Sequence, residues 1–361
     1  MPRSPFTRRR CQVSVALVAL LSVATLSAAT PLQWPPQTTD YGDYGYLWQY
    51  SIPPSLGAEA CGPTSTTNAF TFLQNTQGDR IGNQLTGSNY DAWLANAQIL
   101  AANDYMDTGG FGSSHPGTLP FNLAKGMVQY AQHWHTQNPD RAKIQFDGVV
   151  PLLPPVATDP SYYPPWVERP PQGPTIEQLY GMLAGGAGVV MGMIQQDAST
   201  HQILSGHIVT LAGMEWNDNG DGIMDQGEAT LSIIDPLDPS SYYGNTDPHP
   251  YGVDQLYPQK AAPTTLDVWH AAFVDPESPE NTIPALAIDY WQYKGSEFDL
   301  SGGQYGPYEP EKYEKITANG MPPYYVAYAF GMRAVPVPEP TSVLLWSTLF
   351  LGVSWTRRRR A

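Results

Sequence analysis

The chain has 361 residues, with 18 Lys+Arg against 33 Asp+Glu, a formal net charge of −15 and two cysteines. Eight of the basic residues lie at the two ends, so the body, about residues 30–336, carries 10 basic and 32 acidic residues, a net charge near −22. That balance argues against nucleic acid or anionic lipid as a partner and favours divalent cations, while about 300 residues suffice for one sizeable core or two small ones.

Residues 1–29 have the three parts of a secretory signal peptide. Arg3, Arg8, Arg9 and Arg10 precede an apolar run from Val13 to Leu26, and Ser27, Ala28 and Ala29 supply a small-residue cleavage site. The apolar run is short for a bilayer span. From Thr30 to Pro54 the chain is rich in Tyr, Gly and Pro and has no helical period, which predicts an extended aromatic lead-in.

A helix is expected over Thr64–Gln74, with Ala69, Phe70, Phe72 and Leu73 partly at helical spacing and Pro63 suited to the first turn. Cys61 stands at its mouth. Cys11 leaves with the signal, so Cys61 is the only thiol of the exported body and can join neither an internal disulfide nor a multi-cysteine zinc site. Such a cysteine is an intermolecular link, an inert buried residue or a reactive thiol. The first turn of a helix favours a thiolate, and the amides of Thr64 and Ser65 are expected to point back toward the sulfur, where they can also stabilise an oxyanion.

Further helices are predicted over Asp91–Tyr105 and Phe121–Thr136, then a proline-rich surface loop over 149–174 and a short helix over Thr175–Leu183. The rest reads as strands: Gly188–Ile194, His207–Trp216, Ala229–Ile234, Thr265–Phe273, Ala285–Tyr293 and Tyr324–Arg333. Helices followed by strands predict an α+β domain over 30–334, a helical half followed by an antiparallel sheet. His207 opens a strand directly after Gly206, and Asp235 ends the next one. If the two form a hairpin, Asp235 can orient the imidazole. His201 is the reserve base.

Between these strands lies a loop insertion, 217–228, "NDNGDGIMDQGE". It places Asn217, Asn219, Asp221, Asp225 and Glu228 at positions 1, 3, 5, 9 and 12 of an EF-hand-type calcium loop, with Gly222 at the turn. Its flanks are strands, so a structural calcium site would be a grafted loop; the alternative is a plain Asn-Gly and Asp-Gly hairpin turn. At the far end, residues 335–361 hold Pro338-Glu339-Pro340, an apolar stretch from Val343 to Trp355 too short to span a bilayer as a straight helix, and Arg357 to Arg360. In that order the three parts resemble a PEP-CTERM sorting signal. The resemblance implies a Gram-negative bacterium, transient membrane association through the tail, processing by an exosortase, and a final place at the cell surface or outside.

"CGPTS" at a helix start, Gly206-His207 on a strand and Asp235-Pro236 closing the next strand resemble the bacteriocin-leader-processing (double-glycine) cysteine peptidases of the papain-like superfamily. The resemblance implies a papain-like fold, a peptide or protein substrate, Cys61 as nucleophile, His207 as base and Asp235 as its orienting partner. The 146 residues from Cys61 to His207 fall within the roughly 130–150 usual for such chains. One departure is the glutamine of the oxyanion hole, usually about six residues before the cysteine. Ser55 stands there, and Gln49, twelve residues upstream, is the candidate. The expected function is an exported cysteine peptidase; the alternative is a catalytically inactive, calcium-binding surface or matrix protein on a peptidase-like domain.

Overall fold

The computed structural model describes residues 33–38, 41–49, 52, 59–82, 84–109, 117–150, 163–221, 223–236, 264–276, 278–293, 313–315, 317 and 321–335. The expected signal peptide, the PEP-CTERM motif with its arginines, Gly222 and Ser55 lie outside them. No helix among the described residues is long and apolar enough to cross a membrane.

In chain order the elements begin with strand β1 (Gln33–Thr38), α1 (Cys61–Thr76), α2 (Gly78–Ile81), α3 (Tyr90–Ala101) and α4 (Pro120–Gln137). Strands β2 (Lys143–Val149) and β3 (Val167–Glu168) precede α5 (Ile176–Ala184). Then follow β4 (Gly188–Gln196), β5 (Ile203–Asn217), β6 (Ala229–Ile234), β7 (Thr264–Val274), β8 (Thr282–Ile288), β9 (Trp291–Tyr293), β10 (Tyr313–Lys315) and β11 (Tyr324–Val335).

Local chemistry explains several of the helix bounds. Asn89 caps α3 through Oδ1, which accepts the Ala92 N–H at 2.9 Å. Thr175 and Gln178 close a reciprocal capping box on α5, with bonds of 2.9 and 3.3 Å. Pro120 opens α4 at a position where its missing N–H costs nothing. The third helix stops at Ala101, short of the expected Tyr105. There the N–H groups of Met106 and Thr108 return to the carbonyls of Leu100 and Ala101, and Asp107 takes a φ of 46°.

The expected papain-like α+β order, a helical half followed by an antiparallel sheet, is not what forms. Strands β4, β5, β6, β7, β8 and β11 pair antiparallel in sequence, and β11 returns to pair β4, closing a six-stranded barrel. Extra strands extend it: β1 pairs β5, β2 pairs β11 and β3 joins β2 in parallel. Strand-forming sequence is therefore spread through the chain, from the lead-in to the end of the body, with the helices packed on one closed barrel. Closure is favoured because it leaves β4 and β11 no open edge.

The barrel strands sort their residues by parity. Val189 and Met191 of β4, Val209 of β5, Leu231 of β6, Val268 of β7 and Val326 of β11 meet in the interior, where α5 adds Ile176 and Leu179. The opposite parity, including Val190, Ile208, Phe273 and Phe330, packs outward on Phe70 and Leu73 of α1 and on Leu123 and Met127 of α4. Each of these buried side chains contributes about 1.5–3 kcal/mol relative to exposure.

Candidate active site

Helix α1 is apolar where it meets the barrel through Phe70 and Leu73, yet Thr64, Ser65, Thr66, Thr67, Asn68 and Thr71 are also buried. Several of these polar groups stitch the helix to its surroundings, as burial requires. Ser65 Oγ donates to the Ile208 carbonyl at 2.9 Å, and Thr210 Oγ1 donates to the Ser65 carbonyl at 2.9 Å. This pair of bonds locks the first turns of α1 against the strand that carries His207. Asn68 binds both backbone groups of Leu47, at 2.8 and 3.3 Å, while Tyr44 stacks on Phe72 with centroids 4.4 Å apart. The described part of the aromatic lead-in, through Tyr44 and Leu47, is thus held against α1 as part of the folded domain.

Cys61 is the first residue of α1 and is 9% exposed. Gly62 follows because a Cβ there would lie 2.8 Å from Thr118 Oγ1. The expected role of the Thr64 amide does not hold: its N–H donates to the Ala60 carbonyl at 3.1 Å, the bond that starts the helix. A helix beginning at the cysteine itself consumes that donor.

His207 pairs across the sheet with Met193, an interior residue, and shares the parity of Val209. Asp235 follows interior Ile233 by two residues in the same way. Both therefore converge at the mouth of the barrel, beside the start of α1. His207 Nε2 donates to Asp235 Oδ1 at 2.7 Å, and Cys61 stands near enough to the imidazole to act on its charge. With Nε2 committed to Asp235, Nδ1 is the nitrogen left for sulfur. Burial alone opposes the imidazolium, but the Asp235 carboxylate and then Cys61 outweigh it, pushing the His207 pKa up to about 10. Tyr290 Oη donates to the other oxygen, Asp235 Oδ2.

Tyr328, on the outward face of β11, belongs to the same buried cluster as Cys61. Its ring occupies the place of a Cβ at Gly192, whose ideal Cβ position lies 2.0 Å from Tyr328 Cζ. Burial raises the Tyr328 pKa well above the usual phenol range, and Cys61 and Tyr163 add to the effect. Gln49 is 1% exposed, and its N–H donates to the Pro236 carbonyl at 3.0 Å, so the twelve-residue offset in sequence still brings it beside the aspartate. His201, the reserve base, sits in the β4–β5 turn with φ 60°, its N–H bonded to the Asp197 carbonyl at 2.9 Å. His133 and His135 ride on α4, His270 lies on β7, and His115 and His249 fall outside the described residues.

The 217–228 loop is the tip of the β5–β6 hairpin, closed by Asn217 N–H on the Glu228 carbonyl at 3.0 Å. Its side chains serve the loop's own amides. Asn219 Oδ1 accepts Asp221 N–H at 3.1 Å, Asp221 Oδ1 accepts Ile223 N–H at 2.8 Å, and Glu228 Oε2 accepts Asp225 N–H at 3.1 Å. Asp218, outside the five expected ligands, is buried and accepts Gly220 N–H at 2.8 Å. Among the described residues no three His, Cys, Asp or Glu side chains gather as a metal-holding group. The five donors fit calcium in chemistry, being hard oxygens.

Compared with protein-family models, with curated proteins and with solved structures, the chain matches none.

Proposed function

We propose that the protein is an exported thiol-dependent hydrolase acting on peptide bonds, with Cys61 as nucleophile, His207 as acid and base, and Asp235 as the partner of His207. The single observation that carries the reading is the convergence of Cys61 with His207 and the buried Asp235, His207 Nε2 bonding Asp235 Oδ1 at 2.7 Å while Cys61 acts on the imidazole's charge. An imidazole held this way takes the thiol proton and makes a thiolate–imidazolium pair.

The thiolate adds to the peptide carbonyl carbon. As the C–N bond breaks, the imidazolium gives its proton to the leaving amine, leaving a thioester on Cys61. Water then attacks the thioester; His207 accepts one proton of that water, the acid departs and the thiol is restored. The Gln49 carboxamide and the Cys61 amide are the donors assigned to the oxyanion, since the Thr64 amide is spent inside the helix. Export through residues 1–29, exosortase processing of the 335–361 tail and calcium at the 217–228 loop belong to the same proposal, supported by their sequence patterns.

An epoxide-type cysteine-protease probe tests the chemistry. Wild-type protein is expected to take up one equivalent, located at Cys61 by mass spectrometry, and Cys61→Ala none there. A folded wild type that takes up no probe, or takes it up equally at other residues, overturns the assignment.

A further inference from the structure

The proposed relay leaves one polar contact at its far end unused. Asp235 is 1% exposed and offers two carboxylate oxygens. One accepts from His207 Nε2, and the other accepts from Tyr290 Oη, at the end of the segment that follows β8. Two donors from different elements fix the carboxylate plane, where one would leave it free to turn about its Cβ–Cγ bond.

Tyr290 is itself held from two sides. Its ring lies 5.9 Å from the His207 ring and meets Tyr324 edge to face at 5.2 Å. The Tyr324 hydroxyl pairs with Ser205 Oγ at 2.9 Å, and Ser205 stands two residues before His207 on the same strand. Ser205 Oγ also reaches Gln195 Oε1 at 3.3 Å, across the β4–β5 pairing. The contacts thus form a closed circuit at the barrel mouth: His207, Asp235, Tyr290, Tyr324, Ser205 and back along β5 to His207.

Resting on the hydrolase reading, we infer that Tyr290 is a positioning residue for His207 that acts through Asp235, fixing the carboxylate and drawing off part of its charge. A phenol that donates to one oxygen weakens the hold of the other on the imidazolium. The titratable groups facing His207 are Cys61 from α1, Asp235 after β6, Tyr290 after β8 and Tyr324 from β11, with Tyr328 beyond the sulfur. Of the phenols among them, Tyr290 is the one bonded to the carboxylate.

The test is the pH dependence of Cys61 alkylation by iodoacetamide, which needs no natural substrate. Its alkaline transition reports loss of the imidazolium proton. Tyr290→Phe keeps the ring and removes the donor, and is expected to move that transition up by roughly half a pH unit or more, a part of the energy of a hydrogen bond to a charged group. In an Asp235→Asn background the same substitution is expected to move it no further, because its effect passes through the carboxylate. An unmoved transition in Tyr290→Phe, or an equal shift in both backgrounds, overturns the inference. Should Tyr290→Phe fail to fold, Tyr324→Phe loosens the same circuit at Ser205 and must shift the transition in the same direction; no shift there overturns it as well. A folded wild type whose Cys61 reacts no faster than a free thiol removes the hydrolase reading and this inference together, whereas an unmoved transition in a reactive protein removes this inference alone.

Discussion

Two motif-bearing regions of one hairpin behave differently. At the β5–β6 base, His207 and Asp235 lie 28 residues apart in sequence, yet they meet at 2.7 Å inside the barrel mouth, joined there by Cys61 and Tyr290 from other elements. At the hairpin tip, the polar side chains of 217–228 answer amides two or three residues away, and the residues are largely exposed. The base is organised by tertiary packing in a dry setting, where one partner's charge sets the other's protonation. The tip is organised by its own backbone, in water, where each bond is worth little. The lesson is that a motif's spacing says which groups are present, and burial decides how strongly they act on one another.

The sharpest break of this comparison is His207→Ala, expected to lower peptide hydrolysis by about 10²–10⁴-fold, the usual range for a lost general acid–base. Retained hydrolysis on a synthetic peptide would show that the buried base is not the engine of the reaction. Next is Gly192→Ala. The new methyl meets the Tyr328 ring, and overpacking of this kind is expected to cost about 1–3 kcal/mol in urea unfolding, with altered Cys61 alkylation because Tyr328 and Cys61 share one packed cluster. Full stability would mean that Tyr328 does not lie on Gly192.

Ser65→Ala removes one of the two bonds that fix α1 to the His207 strand, and is expected to cost about 1–2 kcal/mol and to reduce alkylation along with stability. Unchanged reactivity with lost stability would separate the stitch from the site. The pH dependence of stability sharpens the comparison further. The folded pKa of His207, about 10, lies above its ordinary 6.5, so the stability it contributes is fully present below about pH 6.5 and is lost as pH rises through about 10. The unfolding free-energy gap between wild type and Asp235→Asn should therefore shrink steadily over that interval; a gap that widens with pH contradicts the sign.

The smallest effect is expected at the tip. Millimolar calcium acting on a site with the affinity of extracellular modules raises stability by about 1 kcal/mol, visible as a shift in Tm that Asp221→Ala abolishes. A shift that survives Asp221→Ala places the ion elsewhere.

Much of the local structure was legible. Strand β6 has the predicted bounds, Ala229–Ile234, and α1, α4 and α5 lie within a few residues of expectation, because apolar spacing and caps act within one or two turns. Strand β1 escaped notice because Pro35 and Pro36 interrupt it, whereas β2 carried a signal that went unread, Ile144 and Phe146 alternating with exposed Lys143 and Gln145. One signal for closure was present. Every residue of β4 is buried, a sign of a strand covered on both faces, which a one-sided sheet does not require. The circuit through Tyr290 left no mark of its own, since "IDYWQY" differs little from other aromatic runs in the chain.

By itself the sequence determined the inventory: one body thiol at a helix start, a histidine opening a strand, an aspartate ending the next, and an acidic loop between them. Those features depend on neighbours a few residues away. Only the tertiary structure decided that β11 closes on β4 more than a hundred residues earlier, that closure turns His207 and Asp235 inward together, and that Tyr290 takes the second carboxylate oxygen. Such contacts depend on which strand edges find partners across long loops, and the entropy of closing those loops varies too slowly with length to be written into any local pattern.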